Sequence, residues 1–250
     1  MKKRIEEKVV EIIDNEFEIE DVDTVPDLED QRLTFGNKGL RFEATVLYID
    51  IRGSTEILNK HKRKSVAKLH SAYFHTIVTI AKSLGGEVRS FNGDGMLVFF
   101  QGTTKDSLSN AVKAAMKMVY MLTSKDSSVR EKMEKYSPLD FGIGLDDGKI
   151  LCTKVGISGT NNRDLVWIGN AVNKAAKLGD AMKSPYHIGI SELVYENLND
   201  DVKYHKTTGT SLLLGESKKN MWKHEYFCSG IEYNGKELNY YHTNYYWEVA

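Results

Sequence analysis

The chain has 250 residues, 41% of them hydrophobic and 28% charged, with a formal net charge of -1. This is the composition of an ordinary globular α/β domain with appendages, and its near-neutral balance gives no sign of bulk nucleic-acid binding. Two cysteines, Cys152 and Cys228, make neither a disulfide framework nor a metal cluster, and no apolar run is long enough to span a bilayer, so a soluble cytoplasmic protein is expected.

Ile5, Val9, Ile12, Ile13 and Phe17 recur near helical spacing, so Lys3–Phe17 reads as an amphipathic helix. It packs on the body or pairs with a second copy; packing is preferred, because so short a helix is marginal alone. Glu18–Asp30 is acidic, carries Pro26 and reads as a linker. Residues 1–40 are thus an appendage to a central domain over 41–200.

Ala44–Thr55, ATVLYIDIRGST, reads as a buried strand ending in Asp50 beside a Gly-Ser-Thr turn. A carboxylate at a strand end, followed by a loop offering backbone N–H groups, is a workable site for a metal and a phosphate. The same pattern serves equally as a helix cap or turn. Ser54–Leu58 opens a short helix, and Lys64–Leu84 is a long one stopped by Gly85-Gly86.

Glu87–Phe100, EVRSFNGDGMLVFF, reads as two strands joined by a type I′ turn at Asn92-Gly93, with Asp94 directly after it. If the strands are neighbours, Asp94 meets Asp50, and two converging carboxylates repel unless a cation lies between them. Oxygen ligands without a nearby Cys/His cluster favour Mg²⁺ or Mn²⁺ over zinc, as in two-metal phosphoryl chemistry.

Lys105–Leu122 is a second long helix with Ala111, Ala114, Ala115, Met118 and Met121 on or near a packing face, and Lys125–Lys135 is a solvated helix or loop. Leu139–Leu145 and Lys149–Val155 read as strands joined by a hairpin through Asp146-Asp147-Gly148. Asn161–Arg163 is a turn and Leu165–Ile168 a short strand. A helix over Ala171–Met182 stops before Pro185, and His187–Ile190 is a last core strand. Residues 201–250, rich in Lys, Tyr and Trp, read as strands and an aromatic tail folded back on the core. This order suggests an α/β sandwich. Within the last helix, Asn173 and Lys177 share a face and could hold a ribose oxygen and a phosphate, or form a plain polar face.

Taken together, the motifs resemble the class III nucleotidyl cyclases, the family of adenylate and guanylate cyclase catalytic domains. Asp50-Ile51-Arg52-Gly53-Ser54-Thr55 matches the family's Asp-Ile-x-Gly-Phe-Thr, and Gly93-Asp94 its second metal aspartate. Gly142-Ile143-Gly144 through Gly148 matches its Gly-Ile-x-x-Gly stretch. Gly169-Asn170-Ala171-Val172-Asn173-Lys174-Ala175-Ala176-Lys177 matches its Gly-(Asn/Asp)-x-Val-Asn-x-Ala-x-Arg helix. The resemblance covers about Phe42–Ile190 and implies a ferredoxin-like βαββαβ cyclase core with an extra N-terminal helix and C-terminal strands.

By that resemblance Asp50 and Asp94, with the Ile51 carbonyl, hold two divalent cations, Mn²⁺ or Mg²⁺. Backbone N–H groups of Gly53, Ser54 and Thr55 lie near the phosphates, and Asn173 orients the ribose. A head-to-tail homodimer shares two composite sites, and the ribose 3′-oxygen attacks the α-phosphate with release of pyrophosphate. Lys177 stands where the family has its transition-state arginine, keeping the charge without the bidentate fork. Ser90 stands where adenylate cyclases have Lys and guanylate cyclases Glu, and Val166 where adenylate cyclases commonly have Asp or Thr; Ser54 replaces Phe. These residues cannot make the hydrogen bonds that tell the purines apart.

In those departures the chain resembles the pyrimidine cyclases of bacterial Pycsar antiphage systems, which make cyclic UMP or cyclic CMP for a separate effector. Tyr48 and Arg89 fall beside the expected base pocket. Arg89 either serves a pyrimidine carbonyl or is a surface residue on the hairpin. UTP is preferred over CTP, because uracil offers two carbonyl acceptors to a donor. The competing readings are an adenylate cyclase with atypical base-reading residues, and an inactive homologue that binds nucleotide and regulates a partner.

Overall fold

The computed structural model describes residues 1–157, 161–207, 217–225 and 230–249. From the N-terminus run α1 (Lys2–Asp14), β1 (Glu18–Asp21), β2 (Lys38–Arg52), α2 (Ser54–Lys60), α3 (Arg63–Ser83), β3 (Gly86–Asn92) and β4 (Gly95–Gln101). Then come α4 (Lys105–Thr123), α5 (Ser128–Glu134), β5 (Asp140–Gly156), β6 (Arg163–Ile168), α6 (Asn170–Ala181) and β7 (Ile188–Ser191). The chain closes with α7 (Glu192–Glu196), α8 (Asp200–Lys203), β8 (Tyr204–Thr207), β9 (Ser217–Asn220), β10 (Lys223–Glu225), β11 (Glu232–Tyr233), β12 (Lys236–Glu237) and β13 (Tyr240–Thr243).

β2 is the axis of the molecule. Its side chains alternate between two faces, both covered over Ala44–Ile49, where the sequence is apolar but for Thr45. Leu47, Ile49 and Ile51 join a core under α3 and α4, while Leu40, Phe42, Ala44 and Val46 join a second core on the other face. β5 pairs antiparallel along β2, and β4 antiparallel along Ala44–Ile49. The main sheet runs β10-β13-β7-β5-β2-β4-β3, with β1 beside β2 and β6 beside β5. Its central order β5-β2-β4-β3 is the fourth, first, third and second strand of a βαββαβ unit, the ferredoxin-like core expected from sequence.

Several elements differ from the sequence reading. The supposed linker contains β1, which pairs parallel with β2, and Val25 and Leu33 beyond it are buried in the second core. Acidic side chains do not prevent this, because the edge strand meets Lys38 and Arg41: Arg41 Nε donates to Asp21 at 2.6 Å and Lys38 Nζ lies 3.2 Å from Glu18. The hairpin at Asp146-Asp147-Gly148 is absent, and β5 runs straight through it. Asp146 and Asp147 pair with Val46 and Thr45 of β2, and Thr45 Oγ1 donates to Asp147 at 2.8 Å, so sheet pairing overrides the local turn signal.

The expected packing of α1 is also not found: none of its residues is buried. Ile5, Val9, Val10 and Ile13 stay exposed, forgoing roughly 1.5–3 kcal/mol of burial each. The helix is tied down at its C-terminal end, where Asn37 Nδ2 donates to the carbonyls of Ile12 and Asn15 at 3.0 and 2.8 Å. No helix among the described residues is long and apolar enough to cross a membrane.

α6 lies across β5 on the second face at unusually close range. A Cβ at Gly144 would overlap the Ala175 carbonyl, and one at Gly142 the Gly179 carbonyl. Only glycine permits that approach. Arg52, from the end of β2, closes the helix by donating through Nε to Met182 O and through Nη2 to Gly179 O at 3.1 Å.

Candidate active site

Asp50 is the last residue but two of β2, and Asp94 sits in the β3–β4 turn. The turn lies one residue later than the Asn-Gly signal suggests: Asn92 pairs with Gly95, so Gly93 and Asp94 are its central residues. Gly93 has φ +66° and Asp94 does not enter the left-handed region. Positive φ at the first central residue alone fits a type II′ turn; type I′ needs it at both. The shift carries Asp94 to the tip itself.

Gly95 explains how the two acids approach. A Cβ there would come within 2.9 Å of Tyr48 Oη and 3.2 Å of Asp50 Oδ1. With only hydrogen at that point, the Asp50 carboxylate and the Tyr48 hydroxyl fit against the hairpin. The Asp50 carboxyl is pushed up from 3.8 to about 6, first by burial and then by the Asp94 charge; Tyr48 and the Ile51 N–H, 3.1 Å from Oδ1, act in the opposite direction. Burial, then Asp50 and Asp180, push the Tyr48 hydroxyl well above its ordinary range.

Asp94 Oδ2 is buried and without a hydrogen-bonding partner. A buried, partnerless carboxylate oxygen facing a second carboxylate is an unfavourable arrangement that a divalent cation relieves. The residues present therefore fit a hard cation. Among the described residues no third His, Cys, Asp or Glu completes a cluster. That suits Mg²⁺ or Mn²⁺, which take one or two carboxylates and fill the remainder with water and substrate phosphate. Ile51, whose carbonyl was the other expected oxygen ligand, is buried at the strand end.

The phosphate-side residues follow directly. Gly53 has φ +67° and turns the chain from β2 into α2. Helical bonding begins when Glu56 and Ile57 donate to the Gly53 carbonyl at 2.9 and 3.1 Å. The N–H groups of Ser54 and Thr55 thus fall in the first turn, where a helix leaves donors unpaired.

The base-side residues are not gathered in one place. Tyr48 points to Asp50 and to the second core. Arg89 occupies the bulge where the β3–β4 register shifts between Val88 and Ser90. Its guanidinium is neither free for a base nor a plain surface group. It donates to Pro26 O at 2.8 Å, Val25 O at 3.2 Å, Val88 O at 3.2 Å and Glu87 Oε2 at 2.9 Å. Ser90 is half-buried beside it. On β6, Leu165 and Trp167 pack into the second core with Tyr48, whereas the intervening Val166 is 39% exposed on the opposite face.

Asn173 and Lys177 lie on α6 with exposed side chains, while the neighbouring Lys174 is paired with buried Asp146 at 3.7 Å. Three contributors escaped the sequence reading. Asp180, at the far end of α6, adds negative charge to the Asp50 site, and Gly95 makes room for it. Tyr73 of α3 is fully buried in the first core, within electrostatic range of Asp50. None of the three stood out in the sequence: the buried stripe of α3 also carries Thr76, so the Tyr73 hydroxyl is not a lone polar mark.

The sequence profile of the adenylate and guanylate cyclase catalytic domain matches residues 40–227. A uridylate cyclase of Xanthomonas perforans is 33% identical over 198 residues, covering 77% of this chain and 81% of that protein. A uridylate cyclase of Burkholderia cepacia is 31% identical over 197 residues, covering 78% and 83%. Among solved structures, the adenylyl cyclase CyaB of P. aeruginosa superposes with a TM-score of 0.63 over 82% of this chain and 95% of that one, at 22% identity, a likeness of fold alone.

Proposed function

The chain belongs to the adenylate and guanylate cyclase catalytic-domain family, the class III nucleotidyl cyclases, and from that premise we propose that it cyclises a pyrimidine nucleoside triphosphate. UTP is the preferred substrate and CTP the second. The observation that carries the reading is the approach of Asp94, with its buried partnerless Oδ2, to half-buried Asp50 at the end of the strand that turns through Gly53 into α2. The preference for uridine rests on the two uridylate cyclases that match most of the chain, and on Ser90 and Val166 lacking a purine-reading pair.

Two divalent cations, Mn²⁺ or Mg²⁺, held by Asp50, Asp94 and the Ile51 carbonyl, would lower the pKa of the ribose 3′-hydroxyl and neutralise the triphosphate. The hydroxyl gives its proton to solvent water, its oxygen bonds the α-phosphorus, and the bond from that phosphorus to the oxygen bridging to the β-phosphate breaks, releasing pyrophosphate. The Ser54 and Thr55 N–H groups, with Gly53 turning the chain, donate to phosphate oxygens. Asn173 holds the ribose. The Lys177 ammonium meets the charge that grows on the α-phosphate, as a point charge rather than a fork. Asn173 and Lys177 come from a second copy, so the active form is a homodimer with two composite sites. Tyr48 lies at the base side, and Arg89 reaches a base only if it exchanges its Val25 and Pro26 carbonyls for it. The cyclic product acts through a separate effector in antiphage signalling, a role supported by the Pycsar resemblance alone.

Incubation with ATP, GTP, CTP and UTP separately, with Mn²⁺ and then Mg²⁺, tests the activity when product and pyrophosphate are read by mass spectrometry. Cyclic UMP as the main product is expected. Cyclic AMP instead would overturn the pyrimidine reading, and silence with all four would overturn the activity. The same measurement in infected and uninfected cells tests the signalling role, which unchanged levels would remove.

A further inference from the structure

In the first core, on the helix that packs against the strand leading into the Asp94 turn, lies a second polar group without a partner. Tyr73 is fully buried in the first core, and its hydroxyl, like Asp94 Oδ2, has no hydrogen-bonding partner. Its neighbours along α3, Val66, Leu69, Ile77 and Ile80, are apolar, so a phenylalanine would satisfy the packing equally well. Buried hydroxyls are normally bonded, and one left unpaired is unfavourable.

The position of α3 shows where this hydroxyl can act. Phe74 packs edge-on against Phe91, one residue before the turn's first flanking position, with ring centroids 5.2 Å apart, and also against Tyr73 at 5.3 Å. The helix is thereby fixed to the strand that ends in the Asp94 turn. The Tyr73 hydroxyl lies within electrostatic range of Asp50, Asp94 and Tyr48. A carboxylate oxygen carries two lone pairs, so Asp94 Oδ2 can accept a hydroxyl and a cation together.

We propose that Tyr73 is a positioning residue of the metal site: from α3 its hydroxyl donates to Asp94 Oδ2 once a divalent cation is bound, fixing the carboxylate's orientation. The proposal rests on the reading of Asp50 and Asp94 as cation ligands. Such supporting hydrogen bonds orient a ligand and raise its basicity. In the metal-free protein the same hydroxyl is idle, so its contribution appears only with the cation present.

Thermal unfolding of the full chain against increasing Mn²⁺ alone, without nucleotide, tests this with Tyr73→Phe and Asp94→Asn beside the wild type. The metal-free melting temperature of Tyr73→Phe should equal or exceed the wild type's, since only an unpaired hydroxyl is lost. Its half-maximal Mn²⁺ concentration should rise about tenfold, the lower end of what loss of a supporting partner costs a metal site. Equal Mn²⁺ midpoints for Tyr73→Phe and wild type would overturn the proposal, as would a lower metal-free melting temperature with an unchanged midpoint. If the wild type does not respond to Mn²⁺, the cation reading itself falls and takes the proposal with it. Loss of the response in Asp94→Asn, with an unchanged midpoint in Tyr73→Phe, would leave the cation reading standing and remove only the role of Tyr73.

Discussion

At Asp50, burial and the Asp94 charge hold the carboxyl at about 6 instead of 3.8, so the folded chain keeps a proton that the unfolded chain has released. Between those values the native state binds more protons, and stability from this group rises as pH falls from about 7 toward about 4. The groups around it, Asp94, Tyr48, Asp180 and Tyr73, are acids, and no base among its stated partners reverses the sign. Asp147, also pushed up to about 6 by burial, contributes in the same window. The urea midpoint at pH 5 minus that at pH 7.5, without metal, should therefore be smaller in Asp50→Asn than in the wild type, with buried His187 acting in the opposite sense in both; equal differences would remove the Asp50 contribution. The approach of Asp50 and Asp94 was legible in sequence because Asp50 closes an apolar run and Asp94 follows an Asn-Gly turn signal. Arg89 was not, because its partners are carbonyls at Val25 and Pro26, more than sixty residues away, and carbonyls leave no mark in a sequence.

Among the elements, α6 and β5 act as one piece. Backbone oxygens of Ala175 and Gly179 occupy the space that side chains at Gly144 and Gly142 would need. Gly144→Ala should lower stability by about 1–3 kcal/mol or more, since backbone rather than a flexible side chain must move, and a denaturant midpoint checks it. An unchanged midpoint would show that the helix rises freely. The helix itself was readable from its stop before Pro185, whereas its close approach to the sheet was not. The strand was misread for a physical reason. Asp-Asp-Gly is a strong local turn signal, yet β2 offers an uninterrupted partner on one side, and Thr45 and Lys174 satisfy the two aspartates in place.

At the scale of the whole molecule, the proposed composite site makes its own prediction. Asp50 and Asp94 converge at the strand tips, while Asn173 and Lys177 stand exposed on α6 with nothing to hold. An inactive Asp50→Ala variant mixed with an inactive Asn173→Ala variant should recover up to about a quarter of wild-type activity, by random assortment of copies between two composite sites. No recovery, with mixed dimers verified, would place each site within one chain. The terminal appendages were only half legible: β10 and β13 continue the main sheet through β7, and β1 lines β2, so neither end is a detached unit. α1 alone stands clear of the body.

The close seating of α6 on glycine leaves the chain little internal freedom beside Asp50. Arg52 ties the C-terminus of that helix to the same strand that carries Asp50, so the spacing between these groups is set when the chain folds. Where turnover needs a second copy, the adjustable quantity is the encounter of two rigid halves. The rate would then follow the square of protein abundance at low concentration, and gene dosage or local crowding would serve as the throttle, without any loop having to close.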